Sequence, residues 1–337
     1  MRGKLEIMSG LPDLGKSQIH CSIAALATTG REWPNKAPGI EPCRVIMLTA
    51  EDNTEDVLVP RLQATSANLD LIHELKAIRR NNRDEWFLLG EDLDVLDEMV
   101  GDYGDVGLIL IDPITAYMGG GKKFDSHRAT DVRAQLNPIK VLAEQRSIAI
   151  SCLTHPPKNA SQRALDHFIA SQAFIAVPRI GHVCVPEMES DPAGNKRETG
   201  RRLFTNPKNN EAGKQPTLAY RTEVVAVGFD DAEGKIIEAS RVVWEGEVDI
   251  TADEALAATR TTKASRGTAQ DFLLIILTNG PVPQSRIIEC GNERGFSIDQ
   301  LNRAKRALKI KSLKAGGPGD PWLWVLPEDA PDETEPS

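Results

Sequence analysis

The stretch Ser9–Gln18, SGLPDLGKSQ, follows a short apolar segment at the start of the chain. It fits the pattern G-x-x-x-x-G-K-[ST], with glycines at Gly10 and Gly15 and with Lys16 and Ser17 directly after them. The glycines let the backbone bend so that successive N–H groups point inward, and the following helix adds the positive end of its dipole. We therefore predict a phosphate-binding loop. A plain glycine turn that happens to precede a lysine is the alternative.

The loop predicts a nucleotide and a Mg²⁺ ion as ligands. Lys16 is expected to neutralise the β and γ phosphates, and Ser17 offers a hydroxyl to the metal. Asp112 ends the apolar run LILID and is the candidate carboxylate ligand, because parallel strands deliver functional groups at their C-terminal ends. An ordinary strand-end aspartate is the alternative. The predicted nucleotide-binding residues are Gly10, Leu11, Pro12, Asp13, Leu14, Gly15, Lys16, Ser17 and Gln18.

Asp13 is unusual inside such a loop, because its carboxylate should repel a bound triphosphate. The side chain can point outward to solvent while its amide still faces the ligand. We expect weaker binding or faster exchange of nucleotide, and not an inactive site.

The composition limits the classes of protein that come into question. The chain has 337 residues, of which 40% are apolar and 26% charged, as in an ordinary globular protein with one large domain or one large and one small domain. The net charge of -9 argues against a uniformly basic nucleic-acid coat protein. The five cysteines lie far apart, so neither a zinc site nor a disulfide framework is expected. Without a membrane-length apolar run or a signal-peptide pattern, a cytoplasmic location is predicted.

Strand-like and helix-like segments alternate in the first half of the chain. The runs CRVIMLTAED, VGLILIDP and SIAISCLTH are apolar throughout, which is typical of a parallel sheet covered on both faces. Further on, short β runs such as RIGHVCVPE and PTLAYRTEVVAV follow without long helices between them. They predict antiparallel strands that extend the sheet. The predicted fold class is therefore α/β, over residues 1–249.

The C-terminal part has a different pattern. Residues 250–266 are predicted to be a linker, helical at most in part. Residues 267–327 contain three helical segments and then two short strands around a glycine-rich turn, the pattern of a small winged helix-turn-helix. The acidic residues 328–337 predict a disordered tail.

Within that module, SIDQLNRAKRALKI would be the recognition helix, with Ser297 as its cap. Trp322 and Trp324 alternate with apolar neighbours and are expected to pack in the core. Winged helices also serve as protein-docking modules, which is the alternative to DNA binding. The predicted DNA-contacting residues are Arg303, Lys305, Arg306 and Lys309.

Five segments resemble RecA-type ATPases in sequence and in order, and the RepA-like branch of hexameric plasmid and mobile-element helicases is the most similar. The resemblance covers about residues 4–225. It implies a RecA-like P-loop NTPase fold, ATP and Mg²⁺ as cofactors, and a homo-oligomer such as a hexamer. The family usually has glycine where this chain has Asp13, and the segment before the first strand is almost absent, which leaves oligomerisation open. The segments are SGLPDLGKSQ, VIMLTAEDNTEDVLVPRL, LILIDPITAYMG, CLTHPPKN and SQAFIAVPRIGH.

The resemblance also implies roles for single residues. Glu51 matches the glutamate that polarises the attacking water, and His155 matches a sensor of the γ-phosphate. Arg179 falls where the family places an arginine that reaches a neighbour's nucleotide, and Lys208 where related helicases carry a basic residue facing the adjacent subunit. The ordinary alternatives are a helix-capping Glu51, a structural His155 and an Arg179 in a surface salt bridge. Asp52 is assigned to helix capping.

Two loops that carry glycines and lysines follow the third and fourth predicted strands. In a RecA-like ring they would face the central channel and could track a phosphate backbone. A solvated loop without a ligand is the alternative. The basic residues concerned are Lys122, Lys123, Lys158 and Arg163.

Residues and resemblance together predict an enzyme, an Mg²⁺-dependent ATP hydrolase that acts on DNA as a replicative helicase or remodelling motor of a mobile element. Its partners would be single-stranded DNA in a ring channel and duplex DNA at the winged helix. The alternative is a DNA-bound regulatory switch, in which ATP sets the assembly state and no strand is unwound. A degenerate nucleotide binder is a third possibility, suggested by Asp13.

Overall fold

The structure is a computed structural model that falls into two compact units, Met1–Thr259 and Arg260–Ser337. In the part of the chain that it describes, no helix is long and apolar enough to cross a membrane. The described residues are 1–80, 83–119, 124–125, 128–155, 173–190, 196–213, 215–230, 234–259, 269–278, 280–293, 296–314 and 322–327.

The first unit is built from eleven described strands and seven described α-helices. A π-helical turn, Thr54–Leu58, leads into the second helix. The strands are β1 Leu5–Gly10, β2 Arg44–Thr49, β3 Ile72–Glu74, β4 Ala77–Arg80, β5 Arg83–Trp86, β6 Val106–Asp112, β7 Ala149–Leu153, β8 Ile180–Ser190, β9 Lys196–Asn209, β10 Thr217–Asp230 and β11 Lys235–Val248. The helices are α1 Lys16–Thr29, α2 Val59–Ala64, α3 Leu93–Tyr103, α4 Ile114–Tyr117, α5 Ala129–Arg146, α6 Ala173–Ala176 and α7 Ala252–Thr259.

Nine of these strands form one sheet, in the order β11-β10-β9-β8-β1-β7-β6-β2-β3. The six strands from β8 to β3 run parallel to one another. The strands β9, β10 and β11 join antiparallel. This arrangement confirms the predicted α/β fold class, with a mostly parallel sheet extended by antiparallel strands. The strands β4 and β5 form a separate hairpin.

The central strands are buried on both faces, as their apolar runs predict. In β2, Ile46 and Leu48 pack into the core that contains α3 and α5. The alternate residues Val45 and Met47 pack into the core that contains α1 and α2. Side chains alternate in direction along a strand, so a run without polar residues supplies both cores at once.

Two expectations about the later strands are wrong. The segment RIGHVCVPE lies in β8, which pairs with β1 in parallel, so the antiparallel part of the sheet begins only at β9. The strands are also long, because β9, β10 and β11 have 14 residues each. Where these strands extend past the core, polar and exposed residues interrupt their apolar pattern. The sequence therefore predicted shorter strands than the structure has.

The segment after β2 is capped by Asn53, one of the two caps, Asn53 or Thr54, that the sequence NTEDVLVPRLQAT predicts. The side chain of Asn53 accepts hydrogen bonds from the backbone N–H groups of Glu55 and Asp56. Asp52 instead forms a salt bridge with Arg61, at 2.5 Å between Oδ2 and Nη1. The assignment of Asp52 to helix capping is therefore wrong.

The end of the first unit also differs from the expected boundary at residue 249. Residues Ala252–Thr259 form α7, in which Ala255 and Leu256 are buried in the core of this unit. The burial of these two apolar side chains holds residues 252–259 against the first unit, although the sequence predicted that they belong to a linker. The rest of the predicted linker, 260–266, and the tail, 328–337, lie outside the described residues.

The second unit contains three described helices and a three-stranded sheet, ordered β12-β14-β13. Its core contains Leu273, Leu301 and Trp324, which are each at most 1% exposed. Trp322 is 53% exposed, contrary to the expectation of a core position, because it begins its strand opposite the exposed Lys314. The elements are α8 Ala269–Leu277, β12 Val282–Pro283, α9 Gln284–Glu293, α10 Ile298–Ala307, β13 Lys311–Lys314 and β14 Trp322–Val325.

The N-terminus of α10 has a capping box, which confirms the predicted cap. The Ser297 hydroxyl accepts a hydrogen bond from the Gln300 N–H, and the Gln300 side chain accepts one from the Ser297 N–H.

We predict that Ser297→Ala destabilises α10 by about 1 kcal/mol, because one backbone N–H loses its acceptor. Amide hydrogen exchange of α10 in the full chain should accelerate about fivefold. The control Ser285→Ala, at an exposed position of α9, should leave it unchanged. Equal exchange in both variants would contradict the cap's contribution.

Candidate nucleotide-binding site

The loop between β1 and α1 has the backbone that the motif predicts. Gly10 lies against β8, where an added Cβ would stand 2.8 Å from the Cys184 carbonyl oxygen, so only glycine fits. Gly15 has a left-handed conformation with φ of 74° and directly precedes α1. The N–H groups at the start of α1 and the positive end of its dipole therefore point into the loop, where an anion would bind.

The antiparallel strands support this loop from outside, which the sequence did not indicate. The buried Tyr220 of β10 donates a hydrogen bond from its hydroxyl to the Leu14 carbonyl oxygen, at 2.6 Å. Arg202 of β9 donates to the Asp13 carbonyl oxygen, at 3.2 Å, and to the Thr222 hydroxyl, at 2.8 Å. The two contacts with the loop join residues 189 and 206 positions apart, so no local pattern could reveal them.

Lys16 lies at the bottom of the loop and is 8% exposed. Its ammonium donates a hydrogen bond to the Leu11 carbonyl oxygen, at 2.8 Å between Nζ and O. Burial lowers the pKa of Lys16, whereas the nearby carboxylates of Asp112 and Glu51 act in the opposite direction. A buried ammonium with one short contact to a loop carbonyl is well placed to exchange that contact for phosphate oxygens.

Ser17 and Asp112 meet across the gap between α1 and β6. Burial raises the pKa of Asp112 to about 6, and a hydrogen bond from the Ser17 hydroxyl partly offsets this effect. This hydroxyl–carboxylate pair fits Mg²⁺, which binds few protein oxygens and retains water and phosphate ligands. Over the described residues, no cluster of three or more His, Cys, Asp or Glu side chains could hold a metal alone. The residues therefore fit an ion that arrives with a nucleotide.

Glu51 and His155 come together beside the loop, at the ends of β2 and β7. Their side-chain atoms Oε1 and Nε2 are 4.0 Å apart. Burial and the charge of Lys16 lower the pKa of His155, so the imidazole is neutral at pH 7. The neighbouring Thr154 hydroxyl is buried and has no hydrogen-bond partner within the described residues. A buried hydroxyl normally has a hydrogen-bond partner, and sequence reasoning missed this residue.

Asp13 stands at the rim of the loop. It is exposed and has a left-handed backbone, with φ of 63°, a conformation in which glycine is the usual residue. Its charge is nevertheless close enough to act on Lys16. The expected outward orientation agrees with this exposure, and the like-charge repulsion toward a triphosphate remains.

Arg179 and Lys208 lie at the other end of β1, away from the loop. The Arg179 N–H bonds to the Leu5 carbonyl, whereas the loop follows Gly10, about 16 Å further along the strand. Arg179 forms a salt bridge with Glu211, at 2.6 Å between Nε and Oε1. The Lys208 ammonium donates to backbone carbonyls at the end of α6, including that of Pro178 at 2.7 Å. Neither residue can reach the phosphate site of its own chain.

The predicted nucleic-acid contacts fall into three groups. Lys122, Lys123, Lys158 and Arg163 lie outside the described residues. On α10 and directly after it, Arg303, Arg306 and Lys309 are exposed. Lys305 is half-buried, with Nζ 4.3 Å from the ring centroid of Trp324, and it also donates a hydrogen bond to Ser312. Lys305 therefore stabilises the second unit and is less free than its neighbours to bind an anion.

Asp112 provides a pH-dependent test of the site. With a folded pKa of about 6 against an ordinary value of 3.8, its ionisation destabilises the folded chain once the pH exceeds 3.8, and fully above 6. We predict that Asp112→Asn, which keeps an acceptor for Ser17, stabilises the nucleotide-free chain by about 2 kcal/mol at pH 8. Urea unfolding followed by circular dichroism should show the gain shrinking toward zero near pH 4.

The control for this test is Asp105→Asn. The hydrogen bond from Arg44 holds the pKa of the Asp105 carboxyl below its usual range, so this variant should lose stability at pH 8. Equal effects of the two substitutions, or a gain at Asp112 that does not depend on pH, would contradict the burial of an ionised carboxylate at this site.

Comparison with known proteins gives a match to one family and a similarity to solved structures. Residues 1–161 match the family described as "AAA domain". No curated protein matches the chain. Among solved structures, a chain described as an "ATPase Domain" is similar, with a TM-score of 0.47 and 10% identity over 70% of this chain and 85% of that chain. The segment that matches the AAA domain contains Lys16, Glu51, Asp112 and His155.

Proposed function

We propose that this protein is an Mg²⁺-dependent ATPase that acts on DNA. The observation that carries the proposal is the meeting of Lys16, Ser17, Glu51, Asp112 and His155 at the C-terminal ends of four parallel strands. A buried cation, a hydroxyl–carboxylate pair and an exposed carboxylate are the groups that phosphoryl transfer to water requires. The similarity of residues 1–161 to the AAA domain family supports the same reaction class.

Each residue has one task in this proposal. The loop N–H groups and Lys16 bind the β and γ phosphates and neutralise their charge. Ser17 and Asp112 would hold the Mg²⁺ ion, which would neutralise charge on the phosphates when MgATP is bound. Glu51 orients the attacking water and accepts its proton, as an exposed carboxylate without a strong ion pair can. Neutral His155 is placed to hydrogen-bond either the water or the γ-phosphate.

The action on DNA rests on separate features. Arg303, Arg306 and Lys309 give the second unit an exposed basic face, and its three helices with a small sheet suit a winged helix. The resemblance to RepA-like helicases supports a homo-oligomeric replicative helicase or remodelling motor of a mobile element. Within such an assembly Arg179 and Lys208 could serve only a neighbouring subunit, because both lie far from their own phosphate loop.

A DNA-bound regulatory switch is the second candidate. The basic face of α10 favours it, since duplex binding by the second unit needs no unwinding. In this case ATP would set the assembly state. A motor hydrolyses ATP faster when single-stranded DNA is present, whereas a switch binds a particular duplex with slow turnover.

The direct test measures the rate of ATP hydrolysis with and without single-stranded DNA. We predict Mg²⁺-dependent turnover that single-stranded DNA stimulates. Lys16→Ala should abolish it, and Glu51→Gln should keep ATP binding but reduce the chemical step by about a hundredfold or more. Lys36→Ala, at an exposed loop position outside the site, is the control. Unchanged turnover in Lys16→Ala would contradict the assignment of the phosphate site. Slow turnover that does not increase when single-stranded DNA is added would favour the regulatory switch.

Asp13 gives a second test of the same site. We predict that Asp13→Gly tightens ATP binding about three- to tenfold at low salt, because it removes a negative charge and suits the left-handed backbone. The gain should shrink as ionic strength rises. The control Lys36→Gly replaces another exposed residue with φ of 63° and should leave ATP affinity unchanged. Weaker binding in Asp13→Gly would show that the carboxylate assists the nucleotide.

A further inference from the structure

Glu74 is a carboxylate beside the candidate site that the roles above leave unexplained. It ends the edge strand β3, opposite Met47 of β2. Its side chain is only 13% exposed. Each carboxylate oxygen accepts a hydrogen bond from a threonine hydroxyl, Oε1 from Thr49 at 2.5 Å and Oε2 from Thr54 at 2.6 Å. Lys76 donates to the Thr54 hydroxyl and stands 3.4 Å from Glu74 Oε1, so it provides the counter-charge.

The two threonines stand on either side of Glu51. Thr49 is the last residue of β2, and Thr54 begins the π-helical turn. One carboxylate therefore ties together both ends of the short segment that carries Glu51. The Ala50 N–H also bonds to the Asp112 carbonyl oxygen, at 2.9 Å, which links this segment to the metal-binding strand. A π-helical turn is rare and occurs frequently at functional sites.

Within the described part of the chain, Glu51 itself has little to hold it in place. Its side chain is 65% exposed, and its carboxylate approaches His155 only to 4.0 Å. The position of this carboxylate is then set mainly by the backbone of residues 50–53. A displacement of about 1 Å in a catalytic group can reduce the rate about a hundredfold. A clamp on both ends of this segment would therefore act on the chemical step and leave nucleotide binding unaffected.

We propose that Glu74 is a positioning residue, which fixes the place of Glu51 relative to the nucleotide through the hydroxyls of Thr49 and Thr54. This inference rests on the proposed ATPase function and adds a residue outside the phosphate loop to it. If Glu74 had only a structural role, it would stabilise the edge of the sheet. Its loss would then lower the stability of the fold by the same amount whether or not Glu51 is present.

The test uses Thr54→Val, which keeps the shape of the side chain and removes the hydroxyl that Glu74 holds. Thr54→Ser restores the hydroxyl. The control is Thr65→Val, which removes a buried hydroxyl bonded to the Leu62 carbonyl at 2.8 Å, at the end of α2. We expect Thr54→Val to reduce single-turnover ATP hydrolysis about ten- to a hundredfold, with MgATP affinity changed less than about threefold. Thr54→Ser should recover most of the rate, and Thr65→Val should retain it.

A double-mutant cycle with Glu51→Gln separates positioning from structure. If Glu74 and Thr54 act through Glu51, Thr54→Val should cause no further loss in the Glu51→Gln background. A loss of the same size in both backgrounds would overturn the positioning role.

A second readout does not depend on activity. Amide hydrogen exchange of residues 50–53 in the nucleotide-free chain should accelerate about tenfold in Thr54→Val and not in Thr65→Val. If exchange of residues 50–53 is unchanged in Thr54→Val, the hydrogen bond from Thr54 to Glu74 does not restrain this segment, and the proposal is wrong even if the enzyme is active. Accelerated exchange in Thr54→Val, together with a wild-type chain that does not hydrolyse ATP, would overturn the proposed function and with it the catalytic consequence of the clamp.

Discussion

The arrangement around the phosphate loop depends on two opposite charges, on Lys16 and Asp112, that are both buried and close enough to attract each other. Burial lowers the pKa of Lys16 and raises that of Asp112, so the fold disfavours the charged form of each. Their mutual attraction and the Ser17 hydrogen bond offset part of this penalty. A ligand that brings both phosphate oxygens and a divalent cation would satisfy the two groups together, so the proposed site should bind a metal–triphosphate complex more tightly than either component alone.

The three antiparallel strands of the sheet support this arrangement. Tyr220 and Arg202 reach the carbonyl oxygens of Leu14 and Asp13 from outside the loop. The loop N–H groups therefore remain available on the inner side. The close approach of Gly10 to Cys184 extends the same support to β8. The strands β8, β9 and β10 thus support the phosphate loop from outside. At the opposite edge of the sheet, Glu74 holds the segment that carries Glu51.

Much of the fold and part of the site follow from local sequence. The motif of residues 10–17 and the apolar runs of β2, β6 and β7 predict the parallel sheet and place Lys16, Ser17 and Asp112 at one edge of it. The features that the sequence did not predict are contacts between residues far apart in the chain, or they depend on three-dimensional geometry. Nothing local marks Glu74 as the acceptor for two threonines, or indicates that Trp322 lies exposed at a strand end. The resemblance named Arg179, yet only the fold shows that it cannot serve its own loop.

The central claim is that this loop binds the triphosphate of a nucleotide together with Mg²⁺, and calorimetric titration of the full chain tests it most directly. Titrations with MgATP, with ATP in the absence of Mg²⁺, and with AMP should be compared in the wild type and in Asp112→Asn. The account predicts that MgATP binds at least about a hundredfold more tightly than AMP, and that Asp112→Asn removes most of the contribution of Mg²⁺. Equal affinities for MgATP and AMP, or an Mg²⁺ effect that survives in Asp112→Asn, would contradict it.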